Sequence, residues 1–262
     1  MKKWMKLTAL VLSLAMALSL LAGCGSSAGS DADSSTTGGD DAAKTKLVVA
    51  TSPDFPPFES LEGGQVVGIE VDILNKVAEK MGMELDIQQM DFDSVIPGVQ
   101  AGKFDVGMSG ITVTEKRKAN VDFSSVYFMA AQAIVVTADS GITGKADLEG
   151  KTVSVQTGTT AEDYCMANGY EVLAFTANND AAAALTGGKV DAWVVDNEVA
   201  LAMAPQLGLT VLDEAMTSEP YAFAFQKGSE ILSSFNEALD ALLADGTVEQ
   251  IFSDYGVTYI AP

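Results

Sequence analysis

Arg117 is the only arginine in a chain with fourteen lysines. It lies in "GMSGITVTEKRKANVDF", among hydroxyls and glycine amides. A guanidinium grips a carboxylate through two parallel hydrogen bonds, a geometry that an ammonium does not reproduce. Ser109, Gly110 and Thr112 add hydroxyl and backbone donors just upstream, and Thr114 is placed to cap a short helix that begins at Glu115. Taken alone, "TEKRKAN" fits a solvated charged face equally well. Three other segments narrow the choice. "TSPDFPPFE" sets Phe55 and Phe58 among three prolines, a stiffened loop presenting aromatic rings. Phe58 suits a plug for the local core, and Phe55 suits a ligand contact. "QTGTT", from Gln156 to Thr160, reads as a glycine-relaxed turn whose hydroxyls open a helix, and helix N-terminal amides favour an anion. It lacks the lysine and spacing of a phosphate loop, and ordinary capping by these threonines is compatible with anion binding. Asp196, followed by Asn197 and Glu198, ends an apolar run, where its acid is placed to pair with an ammonium or to cap the helix that "DNEVALAM" begins. A cation with donors for a carboxylate, an acid for an ammonium and an aromatic wall for an apolar body together complement a free amino acid.

These segments meet only if each lies at the carboxyl end of a strand in an open α/β sheet, where ligands of such sheets sit. The chain supports that arrangement. "KLVVA" and "ELDIQ" flank a stretch with Ile73, Leu74, Val77, Ala78 and Met81 on one helical face, a β-α-β unit. A short helix around Val95, Ile96 and Val99 leads to the strand "FDVGMS". The pattern then repeats: strand "KTVSVQ", helix "TTAEDYCMANGY", strand "EVLAF", helix "DAAAALTGG" and strand "VDAWVV". Two similar α/β lobes are expected. The chain crosses between them near "SSVYFMAAQAIVV" and again near "EPYAFAFQKGS", after which a helical C-terminal stretch returns to the first lobe. Residues 46–130 with 225–262 are expected to form lobe 1, and residues 131–224 lobe 2.

At the N-terminus, Lys2, Lys3 and Lys6 precede an apolar run from Leu7 to Ala22. That run is shorter than the roughly 20 residues of a membrane span and is interrupted by Thr8, Ser13 and Ser19, so residues 1–23 read as a secretory signal. "LAGC" resembles a lipobox, with Cys24 as the lipidated residue, and residues 24–45, nearly free of large apolar side chains, read as a flexible leash. About 215 residues remain, enough for two small domains with cores of their own. Without the three leader lysines the net charge moves from −21 to −24, which argues against nucleic acid or anionic lipid as a partner. There is no histidine, and with Cys24 lipidated Cys165 has no cysteine partner. Ser-His-Asp and Cys-His catalysis, an internal disulfide and a cysteine metal site are thereby excluded, and no cofactor is expected.

"VATSPDFPPFE", "GIEVDI", "GKFDVGMSGITVTEKRKANVDFS", "VSVQTGTTAEDY" and "GKVDAWVVDNEVA" resemble, in order, the blocks of the polar amino-acid-binding proteins of ABC importers, solute-binding family 3. The resemblance implies the two-lobed type II periplasmic-binding-protein fold, closing on an amino acid. It also implies a permease as partner, and with the lipidated Cys24 a monomer anchored on the extracytoplasmic side of the membrane. By motif, Arg117 corresponds to the carboxylate-binding arginine, helped by Thr112, Gly110 and Thr160. Asp196 corresponds to the ammonium-binding acid, and Phe55 with Phe92 to the aromatic walls. Many relatives that bind basic or amide side chains carry an aspartate where this chain has Ser52. With Gln156 and Thr159 nearby, that favours a neutral or polar side chain over a basic one. A sensory module using the same pocket, or a cyclic amino-acid dehydratase-like enzyme, is the alternative.

Overall fold

A computed structural model describes residues 45–262. The leader, Cys24 and nearly all of the leash lie outside the described residues. The described residues belong to one compact unit.

The chain starts with β1 (Lys46–Thr51), then a flap of three short antiparallel strands, β2 (Asp54–Phe55), β3 (Glu59–Glu62) and β4 (Gln65–Val67). Next come α1 (Ile69–Met81), β5 (Glu84–Gln89), α2 (Phe92–Gln100), β6 (Val106–Gly107), α3 (Glu115–Lys118) and β7 (Val121–Phe123). β8 (Phe128–Ala130) leads across to β9 (Gln132–Val136), β10 (Thr152–Gln156), α4 (Thr160–Ala167), β11 (Glu171–Phe175), α5 (Asn178–Thr186), β12 (Ala192–Asp196), α6 (Asn197–Leu207) and β13 (Thr210–Val211). The return runs through β14 (Glu219–Tyr221) and β15 (Ala224–Gln226) to α7 (Leu232–Ala244) and α8 (Thr247–Asp254).

Two five-stranded sheets result, ordered β5-β1-β6-β15-β7 and β11-β10-β12-β9-β13. The crossings β8 and β14 pair antiparallel, with Ala130 opposite Glu219 and Phe128 opposite Tyr221. This is the two-lobed fold with two hinge strands. Alternation along the strands decides which helices cover which face. In the second sheet Val153 and Val155 pack with Ala161 and Cys165 of α4, while Trp193 and Val195 of β12 share a core with Ala181, Leu185 and Val199 of α5 and α6. In the first sheet Val49 and Phe225 pack with α1, α7 and α8, and Ala50 and Ala224 pack with Val95 and Val99 of α2. Phe58 is fully buried against Phe128, Tyr221 and Phe252 and belongs to the core. Cys165 is free and buried, and burial pushes its thiol up to about 12.

"FDVGMS" is a shorter strand than its composition suggests. Only Val106 and Gly107 are in the sheet, and the chain leaves it at Met108. That early exit turns Ser109, Gly110 and Thr112 toward the space between the lobes.

Candidate functional site

Arg117, on the one-turn helix α3, is 9% exposed. The Thr114 hydroxyl caps this helix by accepting the Arg117 amide at 3.1 Å, which fixes where the side chain starts. Nη1 donates to the Thr112 carbonyl at 3.0 Å, and Nη2 reaches the Gly158 carbonyl of the second lobe at 3.1 Å. The guanidinium also lies over the Phe92 ring, 5.5 Å from its centroid. No salt bridge involves Arg117 among the described residues. Burial lowers its pKa, and the charges of Glu219 and Asp196 oppose that shift. A buried cation held by two carbonyls and an aromatic face, with no carboxylate paired to it among the described residues, is costly, and a carboxylate within reach of its remaining donors offsets that cost.

Asp196 ends β12, is 7% exposed and occupies the N-cap position of α6 without making the capping bond. Capping therefore does not account for this acid. Gln132 Nε2 holds Asp196 Oδ1 at 3.1 Å and also donates to the Thr160 hydroxyl at 3.3 Å. The Tyr221 hydroxyl is buried nearby without a hydrogen bond of ordinary geometry. Burial first, then the charges of Glu219 and Glu198, push the Asp196 carboxyl up to about 7. An ammonium placed here would draw it back to its ionised form.

Both charges line one small, nearly filled cavity between the lobes. Phe55, Phe92, Ser109, Gly110, Thr112, Gln156, Thr159 and Thr160 complete its lining, so of the candidate ligand-binding residues only Ser52 lies off it. The Ser52 hydroxyl donates instead to Asp54 Oδ1 at 3.0 Å. The lobes touch at the rim: Gly158, at φ +79°, has no side chain, and a Cβ there would lie 3.1 Å from that of Asp93.

Several expected donors are committed within the protein. The Gly110 amide donates to Glu70 Oε2 at 2.9 Å and the Ser109 hydroxyl to Glu59 Oε1 at 2.8 Å. Gly110 is required for another reason, because at φ +51° it lets the Phe55 ring lie where a Cβ would strike it. The Thr159 hydroxyl caps α4 by accepting the Glu162 amide at 3.2 Å, and Glu162 Oε2 takes the Gly158 amide at 2.6 Å. Part of the anion-binding capacity at this helix end is thus already used.

Beneath Ser109 and Gly110 lies a fully buried acid pair, Glu59 and Glu70, with the Tyr127 hydroxyl donating to Glu70. Burial and the neighbouring Glu70 charge push Glu59 well above the usual carboxylate range. This network, Gln132 and Glu219 did not stand out in the sequence. One signal was present: Glu70 falls three residues before Ile73, on the apolar stripe of α1, where an acid has to be buried.

Residues 47–258 match the family model of the bacterial extracellular solute-binding proteins, family 3. The chain is 34% identical to the arginine-binding extracellular protein ArtP of Bacillus subtilis, over 96% of each chain. Among solved structures, an ancestral arginine-binding protein bound to glutamine superposes with a TM-score of 0.77 at 41% identity, covering 81% of this chain and 98% of that one. The arginine-, lysine-, histidine-binding protein ArtJ of Geobacillus stearothermophilus matches with a TM-score of 0.77 at 33% identity, covering 83% of this chain and 96% of its own.

Proposed function

The chain belongs to the bacterial extracellular solute-binding proteins, family 3, and from that membership we propose that it captures one free polar amino acid between its lobes and delivers it to the permease of an ABC importer. The observation that carries this reading is a pair of opposite charges, Arg117 and Asp196, each more than nine-tenths buried and facing the same cavity. Arg117 takes the carboxylate through its remaining donors, and Asp196, steadied by Gln132, takes the ammonium. Phe55 and Phe92 flank the apolar part. These groups hold charge, an arrangement suited to binding a zwitterion rather than to cutting one. The relatives described above are likewise binding proteins.

The side chain is proposed to be polar and neutral rather than basic. The acid nearest to Ser52 is Asp54, whose carboxylate already accepts hydrogen bonds from Ser52 and Asn178, with Gln156 close by. A thermal-shift screen of residues 43–262 against the twenty amino acids tests both statements. A ligand at 100 times its Kd stabilises the folded state by about 2.7 kcal/mol. A neutral polar amino acid is expected to raise the Tm more than arginine, lysine or histidine. Arginine as the tightest ligand would overturn the side-chain reading, and no shift with any amino acid would overturn the function.

The protein is exported, as its family is. We place it on the outer face of a membrane through lipid on Cys24, on the strength of "LAGC" and the polar leash after it. Cys24→Ser is expected to release it into the soluble fraction or to stop its processing. Membrane fractionation and lipid labelling unchanged from the parent would refute the anchor.

A further inference from the structure

Asp54 lies on β2 in the flap of the first lobe, yet it accepts hydrogen bonds from the second. Its Oδ2 accepts the Asn178 amide at 2.7 Å, and Gln156 Nε2 lies 3.4 Å from the same oxygen. The Ser52 hydroxyl donates to its Oδ1 at 3.0 Å. Burial raises the Asp54 pKa, and the bonds from Asn178, Ser52 and Gln156 oppose that shift.

The helix that receives this carboxylate has no cap of its own. α5 follows Ala177, whose methyl group accepts nothing, and no side chain in the N-cap position satisfies its first amides. Those amides need an acceptor, and an anion at that end also meets the positive pole of the helix. Asn178 is 1% exposed, which leaves water little access to the site. A helix usually takes its cap from the residue just before it. Here the cap comes from the opposite lobe, so the bond exists only while the lobes are together.

Gln156 ties this contact to the cavity that it lines. Its Oε1 accepts Asn178 Nδ2 at 2.9 Å, and its Nε2 donates to the Thr176 carbonyl at 3.1 Å. Asp54 itself does not line the cavity. Arg117 also reaches across, to the Gly158 carbonyl at 3.1 Å, and the ion pair of Lys116 with Asp163 at 2.9 Å lies in solvent, where such pairs contribute little.

We infer that Asp54 is a closing clasp, a positioning residue that caps α5 across the cleft and holds the second lobe on the first once an amino acid is bound. This rests on the capture reading given above. The clasp sets how long the closed state lasts and leaves the choice of side chain to the cavity.

The test uses residues 43–262, which carry both cores as one compact unit. Asp54→Ala and Asp54→Asn are compared with the parent by calorimetry and stopped-flow, with every amino acid that the parent binds. Asp54→Ala is expected to raise Kd about 10- to 100-fold, by the same factor for each amino acid. The change should lie mainly in the dissociation rate, with the Tm of the ligand-free protein unchanged. Asp54→Asn keeps an acceptor without the charge and should recover part of the loss. A loss confined to one kind of side chain would make Asp54 a ligand contact. An equal loss of stability in the ligand-free protein would make it merely structural, and parent-like kinetics would remove the clasp. Any of these three results overturns the inference. A parent that binds none of the twenty amino acids overturns the capture reading, and that result is read on the parent alone.

Discussion

Replacing Arg117 with alanine is expected to weaken amino-acid binding by about 3 to 5 kcal/mol, because a desolvated carboxylate is left without its partner. At about 1.4 kcal/mol per tenfold this is a loss of roughly a hundredfold to several thousandfold. Arg117→Lys should recover only part of it, since an ammonium keeps the charge but loses the two-pronged geometry. The ligand-free Arg117→Ala protein should melt no lower than the parent. Its side chain is a buried cation held by the Thr112 and Gly158 carbonyls and the Phe92 ring without a salt bridge among the described residues, so removing it also removes a desolvation cost. Titration calorimetry on the three proteins with the best ligand from the screen decides the matter. Parent-like affinity in Arg117→Ala would remove the central contact of the site.

Asp196→Asn is expected to cost about 2 to 5 kcal/mol of binding, because the ammonium loses its charged partner while Gln132 keeps an acceptor. This acid also makes binding depend on pH. Its carboxyl sits at about 7 rather than at the ordinary 3.8, through burial first and then the charges of Glu219 and Glu198, with the Gln132 bond opposing. Ionisation is therefore unfavourable to the folded, ligand-free protein. The stability contributed by this group is complete below about pH 4 and is lost as pH rises toward about 7. Ligand reverses the penalty by supplying an ammonium. Below pH 7 capture must expel the Asp196 proton, so affinity should rise by up to about tenfold per pH unit and level off above pH 7. Calorimetry in buffers of different ionisation enthalpy should register up to about one proton released per ligand at pH 6. In Asp196→Asn the release should vanish. A parent that releases no proton between pH 5 and 7 would show that Asp196 is not the ammonium partner.

The charges and the walls of the site were legible in the sequence because they stand at strand ends in a repeated α/β pattern. Arg117, Asp196 and Phe55 were found by residue type, and the sheets then placed them on one cavity. The supports were not legible, since they depend on pairings that local pattern does not encode. Gln132 reaches Asp196 because β9 runs antiparallel beside β12 with these two residues in register. Nothing in "AAQAIVV" specifies that neighbour. Asp54, in a proline-rich loop, reads as a turn residue, and its role depends on a helix 124 positions away along the chain. Gly110 looked like a donor to the cavity, and only the burial of Glu70 beneath it shows where its amide points.

The strand order of the first sheet has a consequence for the order of assembly. β15, made after the whole second lobe, lies between β6 and β7 as the fourth of five strands. The first sheet therefore stays incomplete until the polypeptide has travelled out through the hinge and back. The second sheet draws only on β9 to β13, an uninterrupted stretch, and its loops can close at lower entropic cost. As the chain emerges from its N-terminus, the lobe that begins first is the one that finishes last. Until then the apolar faces of β1 and α1 stay unsealed, a window for aggregation or chaperone capture that ends only when Phe225 and Phe235 arrive.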